Sequence, residues 1–173
     1  QPYARTITHT TMTNHTHAQH KKSPARAIFE KIVVNAGVGK KSAEAQFEQK
    51  TLPQILRDLA LITGQKPQVR RSKKSIAGFK MREGQTVGLK ITLRRDKMVD
   101  FWTRLITMVL PRVKDFRGID PEDVDHGGTL NICLKEQFVF PEINPEDSLT
   151  MFSLGVNAVP KRKHREDAMK AYG

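Results

Sequence analysis

The chain has a single cysteine among its 173 residues, so no disulfide can close within it and no set of thiolates is available for a structural zinc site. That residue, Cys133, lies in the apolar run LNICL and reads as a small buried hydrophobe rather than a nucleophile. Aromatic residues are scarce, at 6%, with one Trp and two Tyr. No apolar run approaches the roughly 20 residues that span a bilayer, and no apolar stretch of a secretory signal is present, so no membrane span is expected. The first 29 residues, QPYARTITHTTMTNHTHAQHKKSPARAIF, contain no Asp or Glu and show no helical or strand period before their last few positions. Residues 1–27 are therefore expected to be an extended or disordered tail, and 28–173 a single domain, a length that one core can serve. His15, His17 and His20 in the tail have no cysteine or carboxylate beside them to complete a ligand set, so no metal is expected.

What the chain has in excess is positive charge. Lys and Arg number 30 against 18 Asp and Glu, for a net charge of +12. The excess is concentrated: residues 66–117 hold 15 basic and 4 acidic side chains, whereas 118–160 hold 1 basic and 8 acidic. A balance of this kind suits a protein resting on phosphates, and the polarity between adjacent blocks implies two different neighbours. The densest stretch is RRSKKSIAGFKMREG, residues 70–84, too polar for a core and self-repelling if left alone. Its Arg70, Arg71, Lys73, Lys74, Lys80 and Arg82 can meet phosphates and release counterions. Ser72 and Ser75 add hydroxyl donors, while Ile76 and Phe79 can anchor the loop or stack on an unpaired base.

Periodicity places this stretch between two strands. IFEKIVVNA (28–36) has the β-branched content of a strand running into Gly37 and Gly39, and residues around Val69 and VGLKITL (87–93) read likewise. Between them, Thr51 and Gln54 have the form of a capping box, opening a helix whose Leu52, Ile55, Leu56, Leu59 and Ile62 share one face and which ends at Gly64. Pro53 suits the first turn of that helix, so any helix in SAEAQFEQK is expected to be separate. Asp96 is placed to cap a second helix, with Met98, Phe101, Trp102, Leu105 and Met108 toward a sheet and Arg104 outward. LNICL and FSLGVNAV supply further strands, QFVF an apolar turn, and KRKHREDAMKAY a terminal helix. Strands and helices that do not alternate strictly predict an α+β fold, with a mixed or antiparallel sheet, helices packed on one face, and a long basic loop between two strands.

Catalytic and cofactor signals fail on spacing. NAGVGKKS would need Gly where Val34 stands and Ser or Thr where Lys41 stands to form a phosphate-binding loop. The acidic runs DPEDVD and EINPED lack calcium-loop spacing, and His126 has no oriented partner. No enzyme activity and no cofactor are expected; the acidic block suits a contact with a basic partner, with Glu142 and Glu146 as its candidates.

Six ordered motifs then carry a resemblance: KIVVNAGVG (31–39), LITGQKP (61–67), KKSIAGFKMREG (73–84), KITLR (90–94), LPRVKDFRG (110–118) and LKEQFVFPEI (134–143). In order and approximate spacing they resemble the bacterial-type ribosomal protein L5 family. The resemblance implies a structural constituent of the large ribosomal subunit, a non-enzymatic part of translation that binds 5S rRNA, large-subunit rRNA or both in the central protuberance. It further implies a loop reaching the peptidyl-site tRNA and a contact, across an intersubunit bridge, with a small-subunit head protein beside other ribosomal neighbours. Carried over by motif, the rRNA-contacting residues are Asn35, Gln65 and Thr92, neutral side chains that hydrogen-bond without ionising. The tRNA-facing loop is that of Arg70, Arg71, Lys73, Lys74, Phe79, Lys80 and Arg82. The family's N-terminal helix has no counterpart in residues 1–27, and the sequence diverges after residue 148. With the acid-free tail, this suits a ribosome of the mitochondrial matrix, with bacterial cytoplasm or plastid as alternatives. The rival expectation from the residues is a freestanding RNA-binding or RNA-chaperone protein.

Overall fold

The computed structural model describes residues 23–161, apart from positions 40, 44, 45, 80, 115, 117 and 149. Most of the expected tail and the expected terminal helix therefore lie outside the described residues. At the start, Pro24–Ile28 form a short helix, α1, with proline at its first position, where its missing N–H is harmless. Ala25 of α1 is part of the core and Arg26 pairs with Asp96 at 2.9 Å, so residues ahead of position 28 pack on the domain.

Five strands follow: β1 (Phe29–Gly37), β2 (Gln68–Arg71), β3 (Thr86–Leu93), β4 (Leu130–Leu134) and β5 (Leu154–Pro160). They form one sheet in the order β2-β3-β1-β5-β4, and every neighbouring pair is antiparallel. Of the two arrangements expected, the wholly antiparallel one is found. Two longer helices, α2 (Leu52–Thr63) and α3 (Arg95–Arg104), contribute to the same buried cluster as one face of the sheet. Ile32, Val34 and Ala36 of β1, Leu89, Ile91 and Leu93 of β3, and Leu154, Val156 and Ala158 of β5 alternate into that cluster. They join Ile55, Leu59 and Ile62 of α2 and Met98 and Phe101 of α3 there. Each large aliphatic side chain so enclosed contributes about 1.5–3 kcal/mol. Phe29 meets Trp102 edge to face at 4.6 Å between ring centroids, closing the end of the core beside α1.

Several local expectations are corrected. Thr51 makes no cap: it has helical dihedrals and ends a π-helical turn, Phe47–Thr51, that runs into α2 without a break. The wide turn, in which the Leu52 N–H donates to the Phe47 carbonyl, meets the helix at Pro53, a residue with no N–H to donate and a ring that crowds an α-helical turn. At the far end, Gly64 takes φ +63° and its N–H donates to the Ala60 carbonyl, the left-handed stop that the sequence implied. In the second helix Arg94, not Asp96, occupies the cap position; Asp96 sits in the first turn and turns to Arg26. A second π-helical turn, Leu105–Val109, continues α3 and advances the buried face by one residue. Val109 is therefore enclosed where Met108 was expected, and Met108 is 48% exposed. Nor does Arg104 face out: half-buried, it donates to the Ile62 carbonyl at 3.0 Å and pairs with Glu142. Cys133 is exposed, because β4 obeys the alternation of a sheet that the described helices cover on one face.

A buried polar cluster fixes the approach to β5. Asp58 Oδ2 accepts the Ser148 hydroxyl at 2.5 Å, and Ser148 Oγ accepts from Gln54 and Gln137. Fully buried Gln137 accepts the Phe152 N–H and donates to the Thr150 carbonyl. These bonds tie α2 to the segment that enters the last strand, satisfying groups that would be costly to bury alone.

If the π-helical turn sets the helix phase, Val109→Ala should lower unfolding stability by about 2 kcal/mol. Met108→Ala should then stay within about 0.5 kcal/mol of the parent. Urea denaturation of both variants measures the difference, and equal losses would contradict the assigned phase.

Candidate nucleic-acid interface

The strand alternation that fills the core sends a second set of residues to the opposite face, on which no helix of the described residues lies. Val33 and Asn35 of β1, Lys90 and Thr92 of β3, Asn157 of β5, and Asn131 and Cys133 of β4 are all exposed or half-buried there. Antiparallel register puts paired residues on one face, so Gln68 joins Lys90, and Arg70 joins Gly88. Asn35 lies opposite Lys90 on one side and Gly155 on the other. A shallow hollow of about 410 Å³ results, lined by Val33, Asn35, Gly37, Arg70, Gly88 and Lys90. It offers two cations and a neutral amide, with no carboxylate in its lining.

The placement of the Asn35 amide depends on glycine. A Cβ on Gly155 would stand 2.6 Å from Asn35 Oδ1, so only glycine lets the Asn35 amide lie across β5. Its Nδ2 reaches Asn157 Oδ1 at 2.6 Å, diagonally across the strands. Asn157 Nδ2 donates in turn to Asn131 Oδ1, directly opposite on β4, and Asn131 Nδ2 donates to the carbonyls of Asp123 and Thr129 at 3.4 and 3.3 Å. Three amides thus run in line across three strands.

Of the residues chosen from sequence, Asn35 and Thr92 stand on this open face and Gln65 is brought to its margin. Gln65 follows the turn at Gly64 and donates its side-chain amide to the Thr92 carbonyl at 3.2 Å, linking the end of α2 to β3. Lys90, Asn131 and Asn157 escaped the sequence reading. Their signal was the period-2 placement of polar residues in KITL, LNICL and GVNAV, visible only once the covered face is known.

The basic stretch is less loop than expected. Arg70 and Arg71 belong to β2, and beyond them the chain continues as a narrow hairpin. Ser72 and Gln85 are joined through their backbones, and Ile76 and Met81 exchange N–H···O bonds of 3.0 and 3.2 Å. Between these, the Ser72 and Ser75 hydroxyls donate to the carbonyls of Lys74 and Met81. Gln85 accepts the Arg82 N–H and donates to Ser42 Oγ at 2.7 Å, fastening the hairpin base to the turn after β1. Lys73, Lys74 and Arg82 are exposed on it; Lys80 and the side chain of Phe79 lie outside the described residues. Among the described residues no group of three or more His, Cys, Asp or Glu could hold a metal ion, and no helix is long and apolar enough to cross a membrane.

A family model for ribosomal protein L5 matches residues 28–82, and the model for the C-terminus of the ribosomal L5 family matches residues 86–172. The chain belongs to the ribosomal protein L5 family. Large ribosomal subunit protein uL5 of Rubrobacter xylanophilus is 48% identical over 140 residues, which cover 81% of this chain and 76% of that protein. Its counterpart from Fusobacterium nucleatum is 43% identical over 148 residues, covering 84% and 79%. Large ribosomal subunit protein uL5c of the alga Gracilaria tenuistipitata is 44% identical over 139 residues, covering 80% and 75%. The family resemblance read from the six motifs is thereby established, as is its bacterial type. Membership in the L5 family also settles that the chain is not an enzyme. Within the L5 sheet, the first match ends in the basic hairpin and the second begins at Thr86, the first residue of β3, so both halves contribute to the open face.

Gly155→Ala should displace the Asn35 amide and leave the core intact. In ¹⁵N-edited spectra the side-chain amide signals of Asn35 and Asn157 should both move while the melting temperature changes little. Unmoved amide signals would show that Asn35 does not rest on Gly155.

Proposed function

We propose that this chain is a structural constituent of a large ribosomal subunit that lays the open face of its sheet on ribosomal RNA. The supporting observation is the hollow in which Arg70, Lys90 and the Asn35 amide stand together on a face that no helix of the described residues covers. Cations there hold phosphates, while Asn35, Gln65 and Thr92 hydrogen-bond to bases, sugars or phosphates without carrying charge of their own. The RNA is 5S rRNA, large-subunit rRNA or both, in the central protuberance.

The hairpin reaches the peptidyl-site tRNA through Arg70, Arg71, Lys73, Lys74, Phe79, Lys80 and Arg82. Backbone bonds give it a defined shape while Arg70, Arg71, Lys73, Lys74 and Arg82 remain in solvent, the arrangement for gripping any tRNA by its phosphates without reading sequence. The acidic block meets a basic protein of the small-subunit head. Glu142 is withdrawn from that role by its pairing with Arg104, which leaves exposed Glu122 and Glu146 as the surface to test. The acid-free N-terminus supports a ribosome of the mitochondrial matrix over a bacterial or plastid one.

The tagged chain should sediment with large subunits in gradients of purified organelles, whereas recovery in the light fractions alone would favour a freestanding RNA-binding protein. Replacing Lys73, Lys74 and Arg82 by Ala should lower the salt slope of tRNA binding by roughly two units and leave rRNA affinity nearly unchanged, by counterion-release reasoning. Charge reversal at Glu122 and Glu146 should weaken subunit joining. An unaltered tRNA slope would detach the hairpin from tRNA, and unaltered joining would detach the acidic block from the bridge.

A further inference from the structure

The line of three asparagines has a direction, and the direction is forced. At its β4 end the partners are the main-chain carbonyls of Asp123 and Thr129, which can only accept. Asn131 must therefore turn Nδ2 toward them and its Oδ1 toward Asn157. Asn157, donating to that oxygen, must in turn offer its own Oδ1 to Asn35, which fixes Asn35 with Nδ2 against Asn157. An amide free to flip would present either end to solvent; this one cannot flip without setting two acceptors face to face along the row. Among the described residues none donates to Asn35 Oδ1, and Asn35 is exposed. What it has left for a ligand is a carbonyl oxygen and one N–H.

We infer that Asn131 and Asn157 are positioning residues that lock the Asn35 amide so that this face reads a hydrogen-bond donor of RNA, an exocyclic base amine or a ribose 2′-hydroxyl, rather than a phosphate. The inference rests on the sheet-face reading above and deepens it. A phosphate offers only acceptors and is served by Arg70 and Lys90 in the same hollow. A carbonyl held ready is wasted on it. Exocyclic amines and 2′-hydroxyls are the donors that RNA presents in number, and the 2′-hydroxyl also separates RNA from DNA. Locking the amide before contact removes the ordering cost that a freely rotating side chain incurs on binding.

The test is analogue interference on transcripts of 5S rRNA and of large-subunit rRNA bound to the full chain. Some transcripts carry nucleotides lacking one exocyclic amine and others carry 2′-deoxynucleotides; the arm that responds identifies the donor. With the parent protein, one nucleotide should lose roughly five- to tenfold in affinity when its donor is removed, the scale of one hydrogen bond. That sensitivity should vanish in Asn35→Ala, and equally in Asn131→Ala and in Asn157→Ala, although neither position need touch the nucleotide. Melting curves of the three variants show that the sheet persists; two positioning variants on different strands guard against the failure of either to fold. If donor sensitivity survives in Asn131→Ala and Asn157→Ala, the positioning role is wrong and the sheet-face reading stands. If neither amine deletion nor 2′-deoxy substitution weakens binding although Asn35→Ala does, the donor assignment is wrong. If Asn35→Ala binds as the parent does, or no transcript binds, the sheet-face reading falls and this inference with it.

Discussion

Side-chain alternation along β1, the middle strand of the sheet, is the constraint on which the molecule turns. Ile32, Val34 and Ala36 go into the core while Val33 and Asn35 go to the open face, and β3 and β5 pair with β1 on both sides in matching phase. A slip of one residue would bring Asn35 inside and carry three apolar side chains out, a loss of several kcal/mol from apolar exposure and a stranded amide. Register and interface are thus one decision. The residues that give the protein a core also fix which side chains are left to meet a partner.

The charged parts are organised by a different rule. The basic hairpin has almost no buried surface, and its form comes from cross-strand backbone bonds, serine hydroxyls and the Gln85 tie to Ser42. A segment held in this way keeps Lys73, Lys74 and Arg82 exposed and, among the described residues, without an ion pair, at the expense of low local stability. On the acidic side, Glu142 has been taken inward to satisfy Arg104, whose guanidinium also reaches the carbonyl at Ile62, near the end of α2. That pair belongs to the fold; the remaining exposed carboxylates belong to the surface. The charge blocks visible in the sequence therefore mix two classes of residue that only burial separates.

How much could be read in advance follows from how local each cause is. The strands, the helix stop at Gly64, the α+β class and the cationic stretch between two strands all depend on patterns within about a dozen residues, and all were legible. The L5 family was legible too, because its motifs are short and ordered. Asn35 and Thr92 came from those motifs and stand on the open face, but nothing local revealed that Asn131 and Asn157, roughly a hundred residues further on, would align with Asn35. Two of the errors share an origin. Val109 in place of Met108 and the continuous path through Thr51 come from π-helical turns, which shift a helix out of the 3.6-residue period that the pattern assumes. Cys133 was misplaced because an apolar run does not say whether one or both faces of its strand are covered.

What the sequence by itself determined is the set of elements, the excess and placement of positive charge, and membership in its family, since short-range sterics, hydrophobic period and ordered motifs are written residue by residue. What the tertiary structure alone decided is which face of the sheet α2 and α3 cover, which charges are consumed inside, and how three distant asparagines orient one another. Those outcomes depend on contacts between segments far apart in the chain, where a hydrogen bond or a covering helix acts across space and leaves no trace in the residues that lie between.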